Sequence, residues 1–176
     1  MKNAMPVQPL EAGETGGPEV DEFLRGTQKG WILDPQLMAI YAHVPPGLLG
    51  WRRMIEGLVE TIGPVTWEII AHRTAAVTGS GYETTHADAA VRRTVESLRK
   101  ALRGKEIDAA ALDKRQYLAA ALAEGVARHD VEKELFQEVK DSFTTGELVG
   151  LCMAASLAHV AQLVSDTLGV SPSPAN

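Results

Sequence analysis

Between Gly47 and Ser171 the chain carries a single proline, Pro64. A stretch that long without proline leaves backbone N–H groups free for continuous helical ladders. Strand signals, meaning alternation with β-branched residues, are missing from it. Aromatic residues make up only 5% of the chain, while alanine and leucine are abundant, a balance that suits packed helices better than a sheet. The expected fold class is therefore all-α, a single-domain bundle of about seven helices.

The punctuation places most of them. Asp34-Pro35 reads as an N-cap followed by proline at the first helical position, ahead of Leu37, Ile40 and Tyr41. Pro45-Pro46 ends that helix, and a second runs through Leu48, Trp51, Met54, Leu58 and Ile62, apolar at intervals of three to four. Gly63-Pro64 separates it from a third through Trp67, Ile70, Ala71 and Ala75 to Thr78. A fourth is expected from near Tyr82 to Leu102, closed by Gly104. Leu112–Val126 and Val131–Phe143 supply two more. Thr144-Thr-Gly-Glu147 has capping-box spacing and opens a last helix, Glu147–Leu168, apolar on nearly every side. Such a helix is buried centrally or lies at a subunit contact.

At 176 residues the chain fits one domain. Residues 1–20, with several prolines and glycines and little to bury, read as a flexible leader. Residues 21–170 form the helical domain, and 171–176 a frayed tail. Lys plus Arg total 17 against 23 Asp plus Glu, a net charge of −6. With no basic block, nucleic-acid and anionic-membrane partners are not expected. One cysteine, Cys152, excludes an intramolecular disulfide, a CxxC redox pair and multi-thiolate zinc sites. No apolar run approaches a bilayer span, and Met1–Val20 lacks signal-peptide order. A cytoplasmic location is expected.

One segment concentrates chemistry: Trp67-Glu-Ile-Ile-Ala-His-Arg73, then Thr78-Gly-Ser-Gly-Tyr-Glu-Thr-Thr-His86. Glu68 and His72 are four apart and share a helix face. Tyr82 and His86 are four apart, and Glu83 and His86 three apart, at the next helix start. A carboxylate beside an imidazole fixes its tautomer and forms a general acid/base pair. Backbone N–H groups at that helix start could hold an anion. Plainer roles compete. Ser80 and Glu83 fit a capping box, Glu68 with His72 or Arg73 an ordinary helix-side pair, and Tyr82 a buried ring with a bonded hydroxyl. His43, His129 and His159 read as structural or surface residues, and Cys152 as an inert buried thiol. No HxxxH or HExxH metal motif occurs.

These residues resemble the carboxymuconolactone decarboxylase family, which includes the alkylhydroperoxidase D-like proteins. Trp67-Glu68 stands for the family's Arg-Glu pair, with Arg73 following. Tyr82-Glu83 matches its Tyr-Glu, and His86-Ala-Asp-Ala-Ala90 its HxxxA. The similarity continues at Asp34-Pro35 to Trp51, at Phe143–Val149 and at Leu168-Gly-Val170, covering about residues 34–170. The resemblance implies an all-α protein assembling as homotrimers or hexamers, with an active site around the Glu, Tyr-Glu and His segment.

Redox members carry cysteines just before the histidine. Here Ser80 holds the first such place and Glu83 the second, and a serine offers no sulfur to oxidise and recycle. The Tyr-Glu to His interval is one residue short, so either His86 serves as relay or Ala87 occupies that place. His72 stands where the family has an apolar residue and could supply the imidazole. The resemblance thus implies a cofactor-free, metal-free enzyme doing acid/base chemistry (decarboxylation, lactone chemistry or isomerisation) on a small organic substrate. In it His86 is the base or acid, Glu83 its orienter, Tyr82 an oxyanion donor, Glu68 a relay, His72 the imidazole that could replace a displaced one, and Arg73 and Ser80 substrate contacts. The alternative is a non-catalytic binding or assembly protein on the same scaffold.

Overall fold

The computed structural model describes residues 7–15, 17–27, 35–80 and 89–170. Among these, eight α-helices follow one another: α1 (Pro18–Thr27), α2 (Pro35–Tyr41), α3 (Pro45–Ile62), α4 (Pro64–Thr78), α5 (Ala89–Arg103), α6 (Lys114–Arg128), α7 (Lys133–Ser142) and α8 (Thr145–Leu168). A short 3-10 turn, Ala109–Ala111, lies between α5 and α6. No strand occurs among the described residues.

Proline and glycine divide the chain as their chemistry requires. α1 to α4 each begin with proline, whose missing N–H costs nothing where the helix has no acceptor for it. Gly63 joins α3 to α4 at φ +83°, a conformation that penalises any residue with a Cβ. The capping box at α8 forms as its spacing requires. Thr144 Oγ1 accepts from the Glu147 N–H (3.2 Å), and Glu147 Oε2 accepts from the Thr144 N–H (2.8 Å). Asp113 and Gln116 build a second capping box at α6.

Two expectations change. The leader is not wholly loose. The Leu10 N–H donates to Ala39 O (3.1 Å), and Leu10 and Ala12 pack on the core. Gln8 O lies 2.8 Å from His43 Nε2, and α1 already begins at Pro18, burying Val20, Phe23 and Leu24. The amphipathic spacing of those three residues explains the extra helix.

The second change concerns the centre of the bundle. Trp67 to Ala75 are nine consecutive buried residues, so every face of α4 is covered. It packs against α3, α5, α6 and α8. By contrast α8 has two unlike faces. Gly150, Leu151, Ala154, Leu157, Ala158 and Ala161 face inward. Val149, Met153, Val160 and Leu163 are 52, 42, 43 and 54% exposed. Gly150 lets the inner face close on α3, where an added Cβ would stand 2.9 Å from the Ile62 side chain. Against the expectation that no apolar run approaches a bilayer span, α8 is long and apolar enough to cross one, because Ser156, His159 and Gln162 interrupt it without charge; half of its most apolar stretch is buried inside the protein.

Candidate functional site

The middle of α4 holds the charged residues that the sequence singles out. Glu68 and His72 lie one turn apart, each 2% exposed, with Glu68 Oε2 3.7 Å from His72 Nε2. The helical repeat puts them on one face, and the packing of neighbouring helices removes them from water. A carboxylate at this separation would attract the imidazole once the ring carries a second proton. Movement of a few tenths of an ångström would bring them to hydrogen-bonding distance and permit proton exchange.

Arg73, the next residue, points elsewhere. Its Nε and one Nη2 hydrogen go to Glu124 Oε2. Its Nη1 donates to Leu102 O (2.9 Å) and Gly104 O (2.7 Å), and Nη2 also donates to Lys105 O (3.3 Å). A guanidinium has five N–H donors, and all five are used here. Arg73 therefore closes the carbonyl end of α5 and ties α4 to α6. It has no donor left to anchor a substrate carboxylate, which corrects the role expected of it.

Glu124 completes the clamp and also accepts from Arg128 Nε (2.9 Å). Partial burial by itself raises the Glu124 carboxyl. The hydrogen bonds and charge of Arg73, and then of Arg128, outweigh that and hold it below its ordinary value of 4.5. A carboxylate lowered by folding contributes stability that is fully present above its unfolded pKa and is lost as the pH falls through the folded one. We expect the melting temperature to drop as the pH falls below 4.5, and to drop less in Glu124→Gln. Calorimetry of both proteins from pH 7 to pH 3 checks this, and parallel acid profiles would refute it.

Ser80 lies beyond Gly79, the left-handed residue that ends α4. Its hydroxyl donates to Asp166 Oδ1 on α8 (3.2 Å). From His72 to Thr78, the last residue of α4, the helix axis rises about 9 Å, and Ser80 lies beyond that end, turned to α8. Tyr82, Glu83 and His86 lie outside the described residues, as do the start expected for the fourth helix and the Ser80–Glu83 capping box.

The α4–α8 seam carries polar groups that pattern alone did not reveal. The Thr78 hydroxyl donates to Gln162 Oε1 (2.8 Å), and the buried Gln162 amide donates to Ala71 O (3.4 Å). A glutamine inside an otherwise apolar run was the available signal. Glu124, four residues before Arg128 in an alanine-rich helix, was another. Among the described residues no group of three or more His, Cys, Asp or Glu side chains could hold a metal ion.

The chain is similar in fold to a crystal structure from Ralstonia eutropha JMP134, described as the alkylhydroperoxidase AhpD core and an uncharacterized peroxidase-related protein. The TM-score is 0.68 over 97% of this chain and 94% of that one, at 15% sequence identity. The fold is AhpD-like. Identity this low speaks to architecture alone. No protein-family model matches the chain, and no curated protein matches it. Within the AhpD-like frame, the single cysteine sits on α8, half-buried, and burial pushes its thiol upward. That is the opposite of the lowered thiol pKa that makes a nucleophilic thiolate.

Proposed function

We propose that this protein is an enzyme of the carboxymuconolactone decarboxylase-like kind. It would use no redox cysteines and perform acid/base chemistry on a small organic molecule that is anionic or bears a carbonyl. Decarboxylation, lactone chemistry and isomerisation all fit. The observation that carries this is the Glu68–His72 couple, a carboxylate and an imidazole held out of water in the central helix of an AhpD-like fold. His72 exchanges a proton with the substrate, and Glu68 balances the imidazolium that forms. From the sequence resemblance, His86 is a second acid or base, Glu83 its orienter and Tyr82 a donor to developing oxyanion charge. The chemistry calls for no cofactor. The thiol of Cys152, raised by burial, supports leaving hydroperoxide reduction out of this assignment.

The same reading makes the protein a homo-oligomer, trimer or hexamer, joined through the outer face of α8. Val149, Met153, Val160 and Leu163 recur at intervals of four, seven and three, which keeps them on one side of the helix, and leave an apolar stripe in water. That stripe also favours a second reading, a non-catalytic binding or assembly protein that keeps the scaffold while Arg73 and Ser80 serve structure. Native mass spectrometry of gently purified protein separates the two. We expect an oligomer carrying a stoichiometric small molecule whose mass identifies the substrate or product. An oligomer free of ligand and inert towards small lactone acids and β-keto acids would favour the second reading. A ligand-free monomer would overturn the assembly.

A further inference from the structure

α6 is capped at its C-terminal end by His129, and the way it ends is unusual for this molecule. His129 adopts φ +57° and ψ +31°, the only positive φ at a non-glycine among the described residues. α4 and α8 end in the same left-handed conformation, and both use glycine there, Gly79 and Gly169. A histidine at this place carries a conformational cost that glycine avoids. Its backbone N–H closes the helix by bonding to Val126 O and Gly125 O, which glycine would do equally well. The capping geometry therefore gives no reason for an imidazole.

The imidazole has a neighbour of its own kind. The His129 and His159 rings, from α6 and α8, have centroids 5.9 Å apart and planes tilted by 43°. His129 is exposed and His159 partly so. Among the described residues neither ring makes a hydrogen bond or ion pair. Arg128, the nearest cation along the chain, is turned back onto Glu124, and Asp130 follows His129. The net charge of −6 adds a long-range bias towards cations.

We propose that His129 and His159 form a two-imidazole site for a borderline divalent cation, with Zn²⁺ the representative. Imidazole nitrogen is a preferred ligand for such ions. Two rings on one tetrahedral zinc, bonded at about 2.0–2.1 Å, hold their centres roughly 5 to 6 Å apart, which matches the separation seen here. Because the two histidines come from different helices, the ion would pin the end of α6 to α8. Its remaining positions would face solvent and take water or an external ligand.

The test is isothermal titration of the full chain with zinc chloride. Wild type is compared with His129→Asn, His129→Gly, His159→Ala and, as a control, His43→Ala. Asparagine and glycine both tolerate the left-handed conformation, so the His129 variants keep the helix end. Circular dichroism verifies that each variant is folded. We expect one ion per chain in wild type and His43→Ala. Every His129 or His159 variant should bind at least tenfold more weakly, and zinc should raise the melting temperature of wild type but not of those variants. Unchanged affinity in the His129 and His159 variants, loss in only one of the two positions, or no binding to wild type would overturn the paired site.

Discussion

Arg73→Met will cost this protein about 3–5 kcal/mol of folding free energy, the range seen when one partner of a buried ion pair is removed. Methionine fills much of the arginine's volume, so the loss is not mainly a cavity. It comes from three main-chain carbonyls, those of Leu102, Gly104 and Lys105, and the Glu124 carboxylate, all of which lose a charged donor at once. A domain of this size is typically stable by about 5–15 kcal/mol. A large part of the margin therefore rests on one side chain. Urea denaturation with an unchanged slope and a much lower midpoint is the expected observation. Arg73→Lys should recover little, since an ammonium has three donors and no planar fork. A methionine variant within about 1 kcal/mol of wild type would mean that the clamp contributes no more than an ordinary surface contact does.

The second large effect concerns turnover. Once a substrate is in hand, Glu68→Gln and His72→Asn should each lower kcat by a hundredfold or more, within the roughly 10²–10⁴ that a positioned acid or base contributes. Glu68→Gln keeps shape and loses the charge, while His72→Asn is shorter and loses the Nε2 position that faces Glu68, so a merely structural pair would show its loss in the melting temperature and leave kcat near wild type. A relay shows the reverse, with kcat falling, KM little changed and the pH–rate profile losing a limb. Full turnover in both variants would remove the couple from the mechanism and pass the role to His86.

Much of the architecture was legible because it is written in local chemistry. Pro35, Pro45, Pro64 and the Thr144–Glu147 box each act within a few residues, and each marks a helix start in the structure. α1 escaped because Pro18 reads equally as leader and as a first helical residue. Only the spacing of Val20, Phe23 and Leu24 distinguishes the two. The site divides along the same line. Glu68 and His72 meet through the helical repeat, so spacing sufficed. The fate of Arg73 is decided by partners 29 to 51 residues away, which no spacing rule reaches. The Gln162 contacts with Thr78 and Ala71 span 84 and 91 residues and were hidden for the same reason.

The two faces of α8 answer to different constraints on sequence change. The inner face is set by contacts within one chain, and at Gly150 there is no room even for a methyl group beside Ile62. Nothing within the described chain requires Val149, Met153, Val160 or Leu163 to be apolar, and in isolation each could drift to a polar residue with little penalty to folding. In the proposed oligomer, contacts between molecules rather than within one would hold those four positions apolar.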